Sequence, residues 1–219
     1  MKIQWLGHSS FRLTESTGAS IITDPFDPLT VGYDMACLPC DAITSSHGHS
    51  DHNHFKGVSG NPVIINEPGT FDVNGIKIHS VLTSHDTEEG ALRGKNLIYQ
   101  FRLDGVTVCH LGDIGEVCTP ELIEQLIPVN ILLIPVGGNY TIDAEQAKEY
   151  VDHIMPDVVI PMHFKTRRTE LDIDKVENFL RLFDDETVIE HDADVLEFDR
   201  YDFDGAGTKI ILPTRDKEQ

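Results

Sequence analysis

Basic residues are scarce in this chain. Its 219 residues include 17 Lys and Arg against 37 Asp and Glu, which gives a formal net charge of −20. Proteins that bind the phosphate backbone of nucleic acids need clustered Lys and Arg, so this composition argues against nucleic acid as a partner. It does not argue against cations, and eleven histidines accompany the acids. A metal site and a small-molecule substrate are therefore compatible with the composition.

Cysteine and long apolar runs are also scarce. Four cysteines in a chain of this length do not form a disulfide scaffold, and Cys37 and Cys40 lack the second pair that a structural zinc site needs. No run approaches the roughly 18–20 apolar residues of a spanning helix, and the first residues lack the apolar core of a signal peptide. These absences predict no membrane span and a cytoplasmic location. The length predicts a single domain over residues 1–219.

The order of local patterns predicts strands first and then strands that alternate with helices. Short β-like runs fill much of residues 2–111, and Asp104-Gly105 between two of them is a strong hairpin signal. Three later segments have helical patterns: 120–127, which follows the N-cap residue Thr119, then 143–154 and 174–183. This order predicts a layered α/β (α+β) protein whose helices pack outside its sheets.

The most informative segment contains three imidazoles and a carboxylate between His47 and His52. Side chains two residues apart on an extended backbone point the same way, so His47 and His49 can converge on one ion. Asp51 and His52 follow a turn and can reach a second point. Imidazole combined with carboxylate suits Zn²⁺ and similar divalent ions, and the segment therefore predicts a metal site.

The segment His47-x-His49-x-Asp51-His52 resembles the signature of the metallo-β-lactamase superfamily. Three later motifs match the order and rough spacing of the superfamily's remaining metal motifs: Ser84-His85-Asp86, Leu111-Gly112-Asp113 and Pro161-Met162-His163. The opening segment 5–11, WLGHSSF, is similar to a subgroup of metal-dependent hydrolases without an assigned substrate. That subgroup is in turn similar to the lactonase and N-acyl-phospholipase branches.

The resemblance implies a four-layer αββα sandwich that holds two divalent ions. It implies these ligands: His47, His49 and His85 on the first ion, Asp51, His52 and His163 on the second, and Asp113 as the bridge. A carboxylate suits the bridging position because it can bind two ions, which one imidazole nitrogen cannot do. This ligand set suits Zn²⁺, and Mn, Fe or Ni would also fit.

The implied activity is a hydrolase in which a hydroxide bridging two divalent metals attacks a small ester, lactone, amide or phosphodiester. The resemblance also implies that His8 faces the metal centre. There it is a catalytic candidate that would contact a metal ligand or the substrate without binding a metal itself, and a structural role is the alternative. Thr141 and Lys165 are candidates for binding substrate. A helix N-cap and a solvated loop are the respective alternatives.

Two other activities remain open for the same ligands. One is a metal-dependent nuclease or phosphodiesterase, although the net charge of −20 is unfavourable for a polyanion. The other is a diiron redox protein on the same fold. The redox branch usually carries a carboxylate where His49 stands, which favours the hydrolase. The expected partner is a small molecule, and the sequence predicts no oligomeric state.

Overall fold

The computed structural model describes residues 1–203 and 205–215. The strands are β1 (Lys2–Gly7), β2 (Ser10–Thr14), β3 (Ser20–Thr23), β4 (Ala42–Thr44), β5 (Val63–Ile65), β6 (Gly69–Val73), β7 (Ile76–Ser84), β8 (Lys95–Leu103), β9 (Val106–His110), β10 (Ile131–Pro135), β11 (Val158–Met162), β12 (Val188–His191), β13 (Val195–Glu197) and β14 (Lys209–Pro213). The helices are α1 (Pro28–Val31), α2 (Pro120–Leu126), α3 (Ala144–Ile154) and α4 (Glu177–Leu180). None of the helices in the described part is long and apolar enough to cross a membrane.

The strands form two sheets. One has six strands in the order β13-β1-β2-β3-β4-β5, and the other has eight in the order β12-β14-β11-β10-β9-β8-β7-β6. Hairpins join the antiparallel strands, and at Asp104-Gly105 both residues have positive φ, as the sequence predicted. Strands β9, β10, β11 and β14 are parallel neighbours. The central pair, β10 and β11, is wholly apolar and buried, as expected where both faces of a parallel sheet are covered.

The two sheets share one hydrophobic core. Phe11 and Leu13 from the first sheet and Tyr99 and Phe101 from the second are 0–1% exposed and belong to the same buried cluster. The Tyr99 hydroxyl lies 2.9 Å from the Ser45 carbonyl oxygen and can donate to it, which ties the eight-stranded sheet to the end of β4. This interlock holds the loop that follows β4 against the opposite sheet.

Helices cover the outer face of the eight-stranded sheet. Helix α3 contacts β10, and α2 and α4 contact α3. The outer face of the other sheet carries a smaller cluster of Leu6, Ile22, Ile43 and Val58. The side chains packed against this cluster are Met35, Leu38, Cys40 and Phe55. The αββα sandwich implied by the resemblance is therefore confirmed.

Two local predictions differ from the structure. The helix expected over 174–183 is reduced to Glu177–Leu180, because the preceding residues pair as extended chain instead. The Lys165 N–H donates to Asp174 O, and the Asp174 N–H donates to Gly137 O. Strand β6 was not predicted, although Asn74 and Gly75 after it both have positive φ and form a tight hairpin with β7.

Candidate metal centre

Eight side chains with metal-binding atoms meet at one edge of the sandwich. They follow the ends of β1, β4, β7, β9 and β11. Within each of three overlapping groups, the ligand atoms all lie within 4.8 Å of one another. The groups are His8, Asp51, His52 and His163; His47, His49 and His85; and His47, His52 and Asp113. The structure thus brings together all seven side chains expected from the sequence as ligands, and His8, expected to face the centre, lies within the first of these groups.

Asp113 lies between the other two groups. Its Oδ2 is 3.2 Å from Nε2 of both His52 and His163, 3.4 Å from Nε2 of His85 and 3.8 Å from Nε2 of His47. The residue is 1% exposed. All four contacts use the same oxygen, so a single atom of Asp113 faces both sets of imidazoles.

The donor set fits divalent ions. Zn²⁺ bonds to nitrogen and oxygen of about 2.0–2.2 Å in a tetrahedron imply distances of roughly 3.3–3.6 Å between ligand atoms. Asp51 Oδ2 lies 3.4 Å from His8 Nε2 and 3.5 Å from His52 Nε2. His8 Nε2, His52 Nε2 and Asp113 Oδ1 are buried without a hydrogen-bond partner, which is costly unless something else satisfies them. The spacing of these nitrogen and oxygen atoms and their lack of hydrogen-bond partners both match what a bound cation requires.

Serine and backbone contacts fold the His-rich segment back on itself. The Ser45 hydroxyl lies 2.9 Å from the His47 carbonyl oxygen and 3.0 Å from that of His52. The His52 N–H donates to His49 O at 3.0 Å and closes the turn. This turn moves Asp51 and His52 away from His47 and His49, so the two halves of the motif serve different groups.

Asp24 was not identified from the sequence, and it organises the motif from behind. It is fully buried at the end of β3. Its Oδ1 accepts the Ser46 N–H at 2.7 Å, and its Oδ2 accepts the Ser46 hydroxyl at 2.6 Å. Oδ2 is also 2.8 Å from His52 Nδ1, which must donate to it. The tautomer of His52 is thereby set, and its Nε2 is left with a lone pair for a metal.

The same carboxylate acts on His47 through Ser46. The Ser46 hydroxyl donates its hydrogen bond to Asp24, so its oxygen accepts a hydrogen bond from His47 Nδ1 at 2.9 Å. His47 Nε2 then also carries a lone pair and faces the cluster. One buried acid therefore sets the tautomer of an imidazole in each half of the motif.

The electrostatics of the cluster favour neutral imidazoles and one centre of positive charge. Burial lowers the pKa of His47 to about 3 and that of His8 to about 4, so both are neutral at pH 7 and can bind metal. Burial also acts to lower the pKa of His52, but Asp113, Asp51 and Asp24 around it raise that pKa well above its usual value. The three carboxylates thus favour a positive charge where a cation would sit.

Gly112 allows Asp113 to approach the motif. It has φ +58, and a Cβ there would lie 2.6 Å from Ser46 Cβ and would also clash with the Asn96 side chain. Asn96 Oδ1 accepts the Asp113 N–H at 2.9 Å, and Asn96 Nδ2 donates to Leu111 O at 2.9 Å. In the motif Leu111-Gly112-Asp113, the glycine therefore permits close packing and the aspartate carboxylate is held in a fixed position.

Asp86 stands in the motif Ser84-His85-Asp86, but the sequence assigned it no role. Its carboxylate accepts backbone N–H groups from four residues of the loop after His85, at 2.7–3.0 Å. The donors are Glu88, Gly90, Leu92 and Arg93. Burial alone would raise the pKa of the Asp86 carboxyl, but these donors lower it below its usual value. Asp86 thereby orders the loop that begins at the His85 ligand position.

The two substrate-binding candidates lie outside the ligand groups. Thr141 is half-buried, and its hydroxyl donates to Ile142 O, while Asp143 is the N-cap of α3 and completes a capping box. Lys165 Nζ donates to Leu171 O at 2.7 Å and lines a cavity of about 640 Å³. The cavity is also lined by Phe164, which follows His163 in the chain, and by Trp5, whose indole N–H donates to the His8 carbonyl.

The fold and the cluster define a class of protein: an αββα sandwich with a His- and Asp-rich centre at the ends of its strands. Residues 2–163 match the family model of the beta-lactamase superfamily domain. The chain belongs to this superfamily.

Relatives and solved structures agree with this assignment. UPF0173 metal-dependent hydrolases of Thermococcus onnurineus and Methanocaldococcus jannaschii are 30% and 28% identical to this chain over 195 and 189 residues. These matches cover 76% and 75% of this chain, and 85% and 84% of the relatives. A Thermotoga maritima structure, described as a candidate Zn-dependent hydrolase of the metallo-β-lactamase superfamily, is 36% identical with a TM-score of 0.79. It covers 98% of this chain and 99% of its own.

We predict that Asp24→Asn weakens metal binding by about 10–100-fold, the range seen for partners of ligating histidines. Asn tolerates the positive φ of 40° at this position, so the backbone is kept. Its amide has one acceptor oxygen and cannot accept from the Ser46 N–H, the Ser46 hydroxyl and His52 Nδ1 together. Its NH2 group therefore disturbs either the backbone contact of Ser46 or the tautomer that presents a lone pair at His52 Nε2. Competition with a chromogenic chelator measures the affinity. The exposed control Asp192→Asn should bind as the wild type does, and unchanged affinity in Asp24→Asn would contradict the tautomer argument.

We predict that Asp86→Asn loosens the loop after His85. The amide keeps one acceptor oxygen, so two of the four N–H groups lose their partner, and their hydrogen exchange should quicken by about tenfold or more. The pKa of Asp86 is lowered in the folded protein. In the wild type, the protection of these amides from exchange is therefore present above about pH 4 and declines as the pH falls through the folded-state pKa. Amide exchange followed by NMR measures both effects. Equal exchange rates in the variant and the wild type would show that Asp86 does not hold the loop.

Proposed function

We propose that this protein is a hydrolase that works with two divalent metal ions. His47, His49 and His85 would hold one ion, Asp51, His52 and His163 the other, and Asp113 Oδ2 would touch both. The observation that carries the proposal is the position of this one oxygen, 3.2–3.8 Å from four imidazole nitrogens that belong to the two groups. The printed names of the relatives, metal-dependent hydrolases, point the same way.

The chain's residues orient and shield the site. When bound, two divalent ions would supply a water of lowered pKa and polarise the substrate oxygen that gains charge. Asp24 and Ser46 keep His47 and His52 in the tautomers that bind metal. The buried side, at His52 and His163, excludes solvent, whereas His49 is exposed and leaves that side open to a substrate. Zn²⁺ suits these ligands, and Mn²⁺, Fe²⁺ or Ni²⁺ would also fit.

The substrate we propose is a small ester, lactone, amide or phosphodiester. A net charge of −20 disfavours a long polyanion. The cavity beside the centre concentrates basic groups in an acidic chain, including Lys165, Arg167 and Lys175. Trp5 and Phe164 in the same cavity stack with their ring centroids 5.8 Å apart. Cations beside an aromatic wall suit a small substrate with one anionic group.

We predict that the protein binds two metal ions per chain and that chelation abolishes hydrolysis of chromogenic ester, lactone or phosphodiester substrates. Asp113→Asn should lower kcat by at least about 100-fold, since metal catalysis contributes several kcal/mol. The measurements are metal analysis and steady-state kinetics, with Asp192→Asn as the control. An RNA substrate in the same panel tests the nuclease alternative. Robust RNA cleavage at physiological salt, or absence of metal from protein loaded with Zn²⁺ or Mn²⁺, would overturn the proposal.

We predict that Lys165→Met raises KM for anionic substrates by about tenfold with little change in kcat. A charge-assisted contact to a bound anion contributes about 1.5–3 kcal/mol, and one factor of ten corresponds to about 1.4 kcal/mol. Neutral substrates should keep their KM. Lys77→Met, on the exposed surface, is the matched control. Equal KM changes for neutral and anionic substrates would show that Lys165 stabilises the loop through Leu171 and does not bind the anion.

A further inference from the structure

His8 is buried at the candidate metal centre, and one nitrogen of its ring lacks a hydrogen-bond partner. The residue is 3% exposed, and Nε2 is completely buried without a hydrogen-bond partner. This nitrogen lies 3.4 Å from Asp51 Oδ2, and the His8 ring centroid is 4.3 Å from that of His163. N–H···O hydrogen bonds are about 2.7–3.2 Å long, so hydrogen bonding to Asp51 does not account for the position of the ring.

We propose that His8 is a protein ligand of the ion that Asp51, His52 and His163 hold, an inference that rests on the two-metal function proposed above. The 3.4 Å between His8 Nε2 and Asp51 Oδ2 is too long for a good hydrogen bond, and it is short enough for one ion to bond to both atoms at about 2.0–2.2 Å. The orphaned nitrogen thereby acquires the partner that its burial requires.

The backbone around His8 is held in place for this role. His8 has φ +52, in the left-handed region where a non-glycine residue is strained. The Trp5 indole N–H donates to the His8 carbonyl at 3.0 Å, and His110 Nε2 donates to the Ser9 carbonyl at 2.8 Å. Hydrogen bonds to the carbonyl groups of His8 and Ser9 therefore help to maintain an unfavourable conformation in which the His8 ring approaches Asp51.

The proposal makes the two metal sites unequal. With Asp113 shared, the buried site would have five protein ligands and the site of His47, His49 and His85 would have four. The buried site is shielded, since His8, His52 and His163 are at most 3% exposed, whereas His49 is exposed. We infer that the buried site takes up metal first and holds it more tightly, and that the other site is the one a substrate can reach.

The variant His8→Gly tests the proposal. Glycine accepts the positive φ without strain and leaves room for a free imidazole molecule. We expect Co²⁺ titration by calorimetry to give two unequal sites in the wild type. In His8→Gly, the Co²⁺ affinity of the tighter site should fall by more than about 100-fold, the upper end of the loss seen when a hydrogen-bond partner of a metal ligand is removed. Added imidazole should restore that affinity. The surface variant His153→Gln should match the wild type. If His8→Gly does not fold, His8→Asn, which also tolerates positive φ, replaces it.

A second readout separates a ligand from a residue that only supports the fold. In the Co²⁺ protein, each bound imidazole gives a paramagnetically shifted ring N–H signal. Six are expected in the wild type, from the six histidines of the three groups, and one fewer in His8→Gly. Trp5, which is the only tryptophan of the chain and bonds to the His8 carbonyl, should report loading of the buried site by its fluorescence.

Each outcome decides the question. Two Co²⁺ ions with unchanged affinities in His8→Gly would overturn the role of His8 and leave the two-metal function intact. A weakened site that imidazole does not restore, with the number of shifted signals unchanged, would also overturn it. A wild-type protein that binds no metal would overturn both proposals together. Loss of one site with recovery in imidazole and one missing signal supports His8 as a ligand.

Discussion

The buried carboxylate of Asp24 is the interaction on which the centre depends. It accepts from the Ser46 backbone, the Ser46 hydroxyl and His52 within 2.6–2.8 Å, and through the hydroxyl it also determines the proton position on His47. An acid this deeply buried is costly unless it is fully hydrogen-bonded. Burial acts to raise its pKa, but the neighbouring His52 lowers the pKa below its usual value, so the charge persists and the imidazoles keep their orientation.

Backbone strain concentrates at the same place. His8, Asp24 and His163 all have positive φ, at 52°, 40° and 50°, and each such conformation costs roughly 1 kcal/mol or more. They lie directly after β1, β3 and β11, in a sandwich whose shared core is almost fully buried. Packing of the sheets therefore stabilises conformations that the residues would not adopt alone, and those conformations direct side chains into one small volume.

The parts of the centre predictable from the sequence are those with local spacing. The His47–His52 segment shows its chemistry within six residues, and His85, Asp113 and His163 follow in a known order. Asp24 has no such signature, because its partners come from tertiary contacts. Asp86 lies within a motif, but its role could not be predicted because its partners are backbone N–H groups of a loop. Local patterns were likewise sufficient for the Asp104-Gly105 hairpin. They predicted too long a helix over 174–183, because Asp174 at its start pairs as extended chain with Lys165 and Gly137 and the helix is confined to Glu177–Leu180.

The acidic residues of the chain fall into two sets, those at the surface and those buried at the candidate metal centre. Most of the 37 acids remain available for the surface, but Asp24, Asp51 and Asp113 enclose His52 inside the protein and favour positive charge there. Two divalent ions would add four positive charges to this pocket. An acidic exterior attracts such cations and repels extended polyanions. Under the proposed function, the basic residues of the cavity with Lys165 would still accept a single anionic group. The same charge distribution thus favours metal loading and limits the size of an anionic substrate.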